Sequence, residues 1–570
     1  MKRYATATAL VLAASLLSGC TLPPAGVTDQ ASPSTETTER QPQPTAASAY
    51  GGGAPQLFET IGDYHRPVTT DSEEAQRYFN QGLIWVYGFN HDEAVRSFTR
   101  AAELDPRCAM AWWGVAYAQG PNYNASGMNP ARASAAWKAI LRAQYELDDE
   151  TPAEQALIRA TAKRYRDPGA DTEGQDKVDY KAAFAQAMAR AWAKHPEDPD
   201  IGVLYADALM VRFPWRLWKS DGTPARAETL TTVEVLEHVL AFDPYHPGAN
   251  HLYIHAVEAS TDKQRGIIAA DRLSAFNTLS GHLNHMPSHI YVQVGMWDRA
   301  VEQNIMAQAN DEAYLQRSPV QYRQHGYIAH NSHMLAFAAM MVGRERDAMD
   351  GARSVWDMPD GVFETMGRRY DRAMCAIFDV MKRFGRWDDI LAEPQPPGVL
   401  RQTTAMWRAC RAVAYAAKQD FDNARAEHAE FKKLLEARPK DKFLRLNDHF
   451  IAGEIALQQQ QWDLAIEHLV QAVKIEDTLG YGEPPRWLQP VRHTLGAVYH
   501  RAGRYADAER VYREDLAKWP GNGWSLLGLT RALELQNKTD EAAEVREQFE
   551  RAWANADNPI DTSCECLPGL

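Results

Sequence analysis

The sequence lacks the features of several common protein classes. It has only six cysteines in 570 residues, too few for a disulfide-stabilised scaffold. Beyond its first twenty residues it has no run of about 20 apolar residues, the length that a membrane-spanning helix needs. It has no basic run and a formal net charge of −14, which argues against binding nucleic acid or anionic lipid. Strand signals are weak throughout, so we expect an all-α fold.

Familiar catalytic motifs are also missing. The chain has no Gly-rich phosphate loop, no serine nucleophile elbow and no cysteine–histidine protease pattern. The zinc-protease helix needs Glu directly after its first His, and here Leu252 follows His251. A metalloprotease of that kind is therefore disfavoured, and no motif assigns a reaction.

The N-terminus has the organisation of an export signal. Lys2 and Arg3 give a positive start, and an apolar run covers residues 5–17. The run ends in Leu-Ser-Gly before Cys20, which resembles the bacterial lipobox, whose cysteine is freed by cleavage and acylated. Thr21 follows instead of Asp, which by resemblance to lipoprotein sorting rules favours the outer membrane. The open alternative is ordinary secretory cleavage, with Cys20 a bystander.

Composition divides the chain into five segments. They are a lipoprotein signal peptide at 1–19, a lipidated cysteine and disordered tether at 20–56, an N-terminal repeat array with a His-rich centre at 57–356, a C-terminal array at 357–558, and a tail at 559–570. The tether is rich in Pro, Thr, Ser, Gln and Gly and has too few apolar groups to pack. We therefore predict a cell-envelope lipoprotein, in the outer membrane and facing the periplasm or the cell surface. Its lipid would be its only membrane contact.

Most of the body carries the tetratricopeptide pattern, a repeat of about 34 residues that forms two helices. In the clearest copy, Gly82 and Ala94 are the small residues where the helices approach, Phe98 fills the gap, and Pro106 ends the second helix. The pattern predicts an α-solenoid of on the order of ten to thirteen helix pairs, with a concave groove. Comparable copies contain Gly114, Gly453, Gly496 and Gly528.

Histidines concentrate in the middle of the chain. Nine of the 18 lie between His246 and His333, far more than an even distribution would place there. His251 and His255 are one turn apart on one predicted helical face, and Glu258 follows a turn later. His251 and Glu258 would lie roughly 10 Å apart along the axis. One ion would not readily reach both, but two neighbouring ions would use all three side chains.

The second histidine group precedes the next predicted helix. Pro287 is expected to be its first residue and to push Met286 out of α geometry. His282 and His285 would then lie in the preceding loop, with His289 on the first turn. A loop and a helix start can still converge on one point.

The third group is Tyr327, His330 and His333, near the start of a further helix. The groups recur at about the repeat length, so they fall on the first helices of three successive repeats, which line the concave face. Neutral imidazoles with a carboxylate suit Zn, Fe, Cu or Ni. We therefore predict a site for one of these metals, with ligands drawn from His251, His255, Glu258, His282, His285, His289, His330 and His333.

Other side chains are candidates for binding a ligand in the groove. Arg, Glu and Trp suit an anionic or peptide ligand, although they can equally fix the stacking of consecutive repeats. The candidates are His91, Asn122, Glu483, Trp487, Arg513 and Trp524.

Two cysteines lie close together near the C-terminus. Only one residue separates Cys564 from Cys566, and we expect this spacing to disfavour a bridge between them. They are then either a soft-metal ligand pair or two tail residues of minor importance.

These segments resemble a family of exported bacterial tetratricopeptide proteins that mostly have no assigned activity. The likeness runs from about 57 to 550, and residues 285–291 are its most specific part. The resemblance implies the fold and export, and it implies that the histidine segments are a family feature. The other shared segments are 87–91, 108–114, 120–122, 251–255, 281–284 and 483–487.

Three functions remain open from the sequence. The first is a binding or scaffold protein that holds a peptide or protein in its groove, with metal stiffening the central repeats; the fold class favours it. The second is a metal-dependent hydrolase or oxidoreductase, in which Glu258, Tyr327 or His330 takes part in catalysis. The third is a structural scaffold without metal. No nucleic-acid partner is expected.

Overall fold

The computed structural model describes residues 54–167, 179–318, 322–357 and 362–567. The predicted signal peptide, Cys20 and nearly all of the tether lie outside these residues. Within them the chain forms 26 α-helices and no strand beyond one isolated bridge between Trp218 and Pro224. None of the helices in these ranges has both the length and the apolar character of a membrane span. The all-α repeat prediction is confirmed.

Consecutive helices pack side by side in pairs, and each pair packs on the next. In chain order the helices are α1 (Glu73–Tyr87), α2 (His91–Leu104), α3 (Ala109–Gln119), α4 (Pro130–Tyr145), α5 (Pro152–Thr161), α6 (Tyr180–Lys194), α7 (Pro199–Met210), α8 (Ala227–Phe242), α9 (Pro247–Val257), α10 (Ile267–Ser274), α11 (Gly281–His285), α12 (Pro287–Gln293), α13 (Trp297–Arg317), α14 (Tyr322–Met341), α15 (Glu345–Ser354), α16 (Val362–Tyr370), α17 (Ala376–Arg383), α18 (Trp387–Ala392), α19 (Arg401–Ala417), α20 (Phe421–Ala437), α21 (Lys442–Gln458), α22 (Trp462–Glu476), α23 (Val491–Arg501), α24 (Tyr505–Lys518), α25 (Gly523–Glu534) and α26 (Thr539–Ala552).

Aromatic rings inserted at glycines explain why the repeat pattern predicts the packing. A Cβ on Gly82 would lie 2.7 Å from the Phe98 ring, and one on Gly114, in the next pair, would lie 2.4 Å from it. Phe98 is fully buried between the two pairs. Tyr512 is related to Gly496 in the same way, at 2.3 Å. The small residues therefore allow the helices to approach, and each ring joins one repeat to the next.

The C-terminal repeats pack back on the middle of the chain. The Trp297 Nε1 donates to the carbonyl oxygen of Pro520 at 2.7 Å, and the Trp524 Nε1 donates to that of Met340 at 2.8 Å. These contacts join residues more than 180 positions apart. Two cavities lie next to the histidines.

The start of the second histidine segment differs from the prediction. Met286 has α geometry (φ −53°, ψ −38°), and its N–H donates to the carbonyl oxygen of His282 at 3.1 Å. Pro287 begins α12 as predicted, but a proline removes only one hydrogen bond, and the turns continue through it. Burial of the Met286 side chain outweighs the local preference of a residue before proline. His282 and His285 are therefore helical and do not lie in a loop.

Cys564 and Cys566 form a disulfide, contrary to the expectation from their spacing. Their Cα atoms are 5.2 Å apart, within the ordinary range for a disulfide. Both are buried, and their sulfurs lie close to the Glu454 carboxylate. The bonded sulfurs are not free metal ligands in this form.

Candidate metal centre

The three histidine groups meet in the interior of the chain. They come from α9, from α11 and α12, and from α14, which are first helices of successive pairs. Ring centroids are 5.0 Å apart for His251 and His255, and 4.7 Å apart for His285 and His289. The ring of His330 is 4.5 Å from that of His285. All are buried except His330, which is half-buried.

The first donor group consists of His251, His255 and His282, whose facing nitrogens lie within 4.8 Å of one another. The Nδ1 of His251 donates to the Tyr87 carbonyl oxygen, and that of His255 donates to Glu258 at 2.9 Å. Because Nδ1 carries the proton in both rings, each Nε2 has a free lone pair. Among the described residues, neither Nε2 has a hydrogen-bond partner, and neither ring nitrogen of His282 has one. Metal-binding histidines have this arrangement.

The second donor group consists of His285, His289 and His330, again within 4.8 Å. The Nδ1 of His285 donates to the Asn304 Oδ1 at 2.6 Å, and the amide is oriented by a second bond from its nitrogen to a carbonyl of its own helix. The Nδ1 of His289 donates to the other Glu258 oxygen at 2.5 Å. The two Nε2 atoms face each other at 2.7 Å. A cation, either a proton or a metal ion, must separate these lone pairs.

Glu258 connects the two donor groups, because each of its oxygens accepts a proton from a different imidazole. Burial alone would raise its pKa, but His289 and His255 lower it to about 2. It therefore stays ionised and orients both rings. His255, Glu258 and His289 also form a third close group of possible metal ligands, but their facing atoms are already hydrogen-bonded to one another. The predicted roles of Glu258 as metal ligand or general base would require these bonds to break.

Burial keeps most of the imidazoles neutral. It lowers the pKa of His251, His282 and His285 well below the ordinary value, and neighbouring imidazoles lower it further. The same causes act on His330. In His289 burial also lowers the pKa, but the adjacent carboxylate more than compensates and raises it. Neutral imidazole is the form that binds metal.

The Phe89 ring covers the first donor group. Its centroid is 4.4 Å from that of His251 and 5.6 Å from that of His282. Its backbone is left-handed, with φ 57°, at a turn where later pairs have Gly295 and Gly343, with φ 82° and 71°. A left-handed phenylalanine costs on the order of 1 kcal/mol. Gln419, Gln460 and Asn537 have the same left-handed geometry, with φ 62°, 60° and 59°, at the turns after α19, α21 and α25, so the strain does not by itself mark the site.

Two cavities reach the histidines. The first has a volume of about 380 Å³ and is lined by His330 and His333. The second, of about 890 Å³, is lined by His255 and Glu258. Trp215 borders both. The candidate centre is therefore buried but next to space that can admit a small molecule.

Two predicted residues lie at the edge of the centre. The Tyr327 ring is 4.5 Å from that of His282, and Tyr327 also lines the first cavity. His333 lines the same cavity, but among the described residues it belongs to neither three-histidine group. Both are therefore better placed to contact a molecule in the cavity than to bind a metal ion.

The predicted groove residues divide into two sets. Arg513 is exposed and pairs with Glu509 and Glu541. Trp524 is fully buried, where it stabilises the contact between the arrays. The other four line the cavities: His91, Asn122 and Glu483 the first, and Trp487 the second.

Sequence reasoning missed several residues around the centre. Tyr87 contributes only a carbonyl oxygen, and Asn304 lies on a second helix outside the histidine segments. Tyr370 and Arg372 line the first cavity from a distant part of the chain. Phe89 carried no distinct signal, because Gln419, Gln460 and Asn537 also take the place of glycine at such turns.

Comparison with known proteins supports the repeat fold. Residues 493–523 match the family described as "Tetratricopeptide repeat". No curated protein matched the sequence. Human IFIT1 in a dimer with m7Gppp-AAAA is similar at 14% identity over 86% of this chain and 92% of that one, with a TM-score of 0.29. Yeast Tom70 is similar at 11% identity over 84% of this chain and 93% of that one, with a TM-score of 0.23. TM-scores this low carry no argument. The family match and the consecutive helix pairs lead to the conclusion that this chain is built of tetratricopeptide-type repeats.

Proposed function

We propose that this chain is a tetratricopeptide-repeat metalloprotein that holds two transition-metal ions, one in each three-histidine group. One observation carries the proposal. In His251, His255, His285 and His289, an acceptor holds the Nδ1 proton, and Nε2 is left facing other imidazoles. Six imidazoles without a directly bound carboxylate favour Zn, Cu, Fe or Ni over Mg or Ca.

A structural cluster without metal accounts less well for these contacts. In the part of the chain that the structure describes, four buried nitrogens have no partner: the Nε2 atoms of His251 and His255 and both ring nitrogens of His282. Each unpaired buried polar atom costs about 1–3 kcal/mol. A single ion bound by the three rings would coordinate one of these nitrogens from each ring.

Metal content tests the proposal. The protein, purified without chelator or nickel resin, should contain two ions per chain by mass spectrometry. His251→Ala and His285→Ala should each lose one ion, because they belong to different groups. The exposed His238 gives a matched control, and His238→Ala should keep both. A folded wild-type protein that binds no metal would contradict the proposal.

An enzyme, either a hydrolase or an oxidoreductase, is the second candidate. It is favoured by the position of His330, which belongs to the second donor group and also lines the first cavity. An ion there would have a coordination position open to a small molecule, as catalytic sites require. Azide should change the visible spectrum of the Co(II)-substituted protein if that position is open. An unchanged spectrum at saturating azide would contradict an open position.

We also propose that the protein is exported to the cell envelope and anchored by lipid on Cys20. The charged start, the apolar run and the cysteine occur in the order of a lipoprotein signal. Mass spectrometry of the mature N-terminus should find an acylated cysteine, and Cys20→Ser should release the protein from membranes. An unmodified N-terminus would instead indicate secretory cleavage.

A peptide or protein partner remains part of the proposal. The support is the repeat fold, which commonly presents recognition surfaces. Crosslinking in intact cells should recover a discrete partner if the array is a scaffold. Recovery of the same proteins with an unrelated envelope lipoprotein would count against it.

A further inference from the structure

The first cavity carries more positive than negative charge. Arg369 and Arg372 border it, and neither forms an ion pair with a described carboxylate. Of the two carboxyl groups in its wall, that of Asp92 is bound by Arg132 at 2.6 Å. The other, Glu483, accepts hydrogen bonds from the Gln293 amide at 3.0 Å and from the Tyr481 hydroxyl on its Oε1. In a chain with a net charge of −14, this cavity would attract an anion.

Arg372 is the cation best placed to bind that anion. It is half-buried, and its Nη2 donates to the carbonyl oxygen of Pro484. Burial lowers its pKa to about 10, so it remains charged at neutral pH. Described residues engage only one of its N–H donors, and a guanidinium has five, in a planar fork. That fork matches the two oxygens of a carboxylate.

Four of the residues that line this cavity each have a buried polar atom without a hydrogen-bond partner among the described residues. These atoms are Asn124 Oδ1, Gln324 Oε1, the Tyr370 hydroxyl and Glu483 Oε2. The Gln324 amide nitrogen already donates to Asp311, which leaves its oxygen as an acceptor. A ligand that suits this wall must offer N–H or O–H donors as well as a negative charge.

We infer that the first cavity binds a small organic carboxylate that also carries hydroxyl or amino groups. The carboxylate pairs with Arg372 and accepts a hydrogen bond from the Tyr370 hydroxyl. The donors of the ligand face the amide oxygens of Asn124 and Gln324. A cavity of about 380 Å³ lies within the size range of small-molecule sites.

This inference deepens the proposed function by naming a substrate class. It rests on the proposed function in one respect. Because His330 lines the same cavity, the bound carboxylate would lie next to the second three-histidine group. The contacts with Arg372 and Tyr370 need no metal, so the two proposals can fail separately.

Isothermal titration calorimetry with glycolate, a 2-hydroxy carboxylate, tests the site in the full-length protein. We expect saturable binding that Arg372→Gln weakens at least about 30-fold and Tyr370→Phe about tenfold. Tyr370→Phe is the cleaner variant, because the hydroxyl has no hydrogen-bond partner among the described residues and its removal breaks none of their contacts. Tyr145 is 80% exposed on α4, and Tyr145→Phe should bind as the wild type does.

Two further probes define the ligand class. Ethylene glycol lacks the carboxylate and should not bind, and inorganic phosphate should bind more weakly than glycolate. Tighter binding of phosphate would overturn the assignment to carboxylates. Absence of saturable glycolate binding, or equal affinity in the wild type and in both cavity variants, would overturn the site itself. Glycolate binding that persists after the metal is removed would support this site even if the metal proposal failed.

Discussion

The Nε2 atoms of His285 and His289 lie 2.7 Å apart, while each ring donates its Nδ1 proton to a different acceptor. Two bare lone pairs repel at that distance. A separation of 2.7 Å is that of a hydrogen bond, so without metal a proton lies between the two rings, and Glu258 favours it by raising the pKa of His289. A metal ion bound there must displace that proton.

Metal affinity should therefore fall as the pH falls. If one proton is displaced for each ion bound, the affinity drops about tenfold per pH unit below the pKa of that proton. Competition with a chromophoric chelator at pH 6 and pH 8 measures the difference. His251 provides the comparison, because burial lowers its pKa and no shared proton has to leave its group. At low pH the second donor group should therefore bind metal more weakly than the first. Equal affinity of the second group at pH 6 and pH 8 would contradict the shared proton.

Glu258→Gln should weaken metal binding without unfolding the protein. The amide has one acceptor oxygen, so only one of the two Nδ1 protons can still be accepted. Loss of such an orienting contact typically costs 10–100-fold in metal affinity, and we expect about that loss. Glu237→Gln, at an exposed ion pair on α8, is the matched control. Unchanged affinity with native helix content would show that Glu258 does not orient the ligands.

The repeat fold was predictable because its signals are local. Gly82 and Phe98 occur at fixed offsets, and the structure places the ring against that glycine. The approach of the segments that contain His251, His289 and His330 was predictable for the same reason, since equal spacing puts them on neighbouring helices.

The remaining features depend on tertiary contacts that no local pattern encodes. Met286 keeps α geometry because its side chain is buried, against the preference of a residue before proline. Asn304 and the Tyr87 carbonyl orient imidazoles from other helices. The position of Arg372 beside His330 follows from how successive repeats pack.

Glu454→Gln should change how stability depends on pH. Burial raises the pKa of Glu454 to about 7 from its ordinary 4.5, although Lys382 opposes the shift. The folded state then binds a proton more tightly than the unfolded state. The stability from that proton is fully present below about pH 4.5 and is lost as the pH rises through 7.

Thermal or urea unfolding at pH 5 and pH 8 measures this effect. Between those values, the wild type should lose up to about 3 kcal/mol relative to Glu454→Gln. Glu467→Gln removes an exposed carboxylate on α22 and should follow the wild type. Parallel profiles for wild type and Glu454→Gln would mean that Glu454 ionises in the folded protein without cost.

Phe89→Gly should release metal faster, although it relieves backbone strain. Glycine adopts φ 57° freely, so relief of the backbone strain should stabilise the folded state by on the order of 1 kcal/mol. The lost ring leaves a space beside His251 and His282, and removal of a buried phenylalanine ring costs about 3–5 kcal/mol. Gln419→Gly is the matched control, because Gln419 is an exposed turn residue with φ 62°. It should be neutral or slightly stabilising and should hold metal as the wild type does. Transfer of metal to excess chelator gives the rate, and equal rates in wild type and Phe89→Gly would show that the ring contributes only packing.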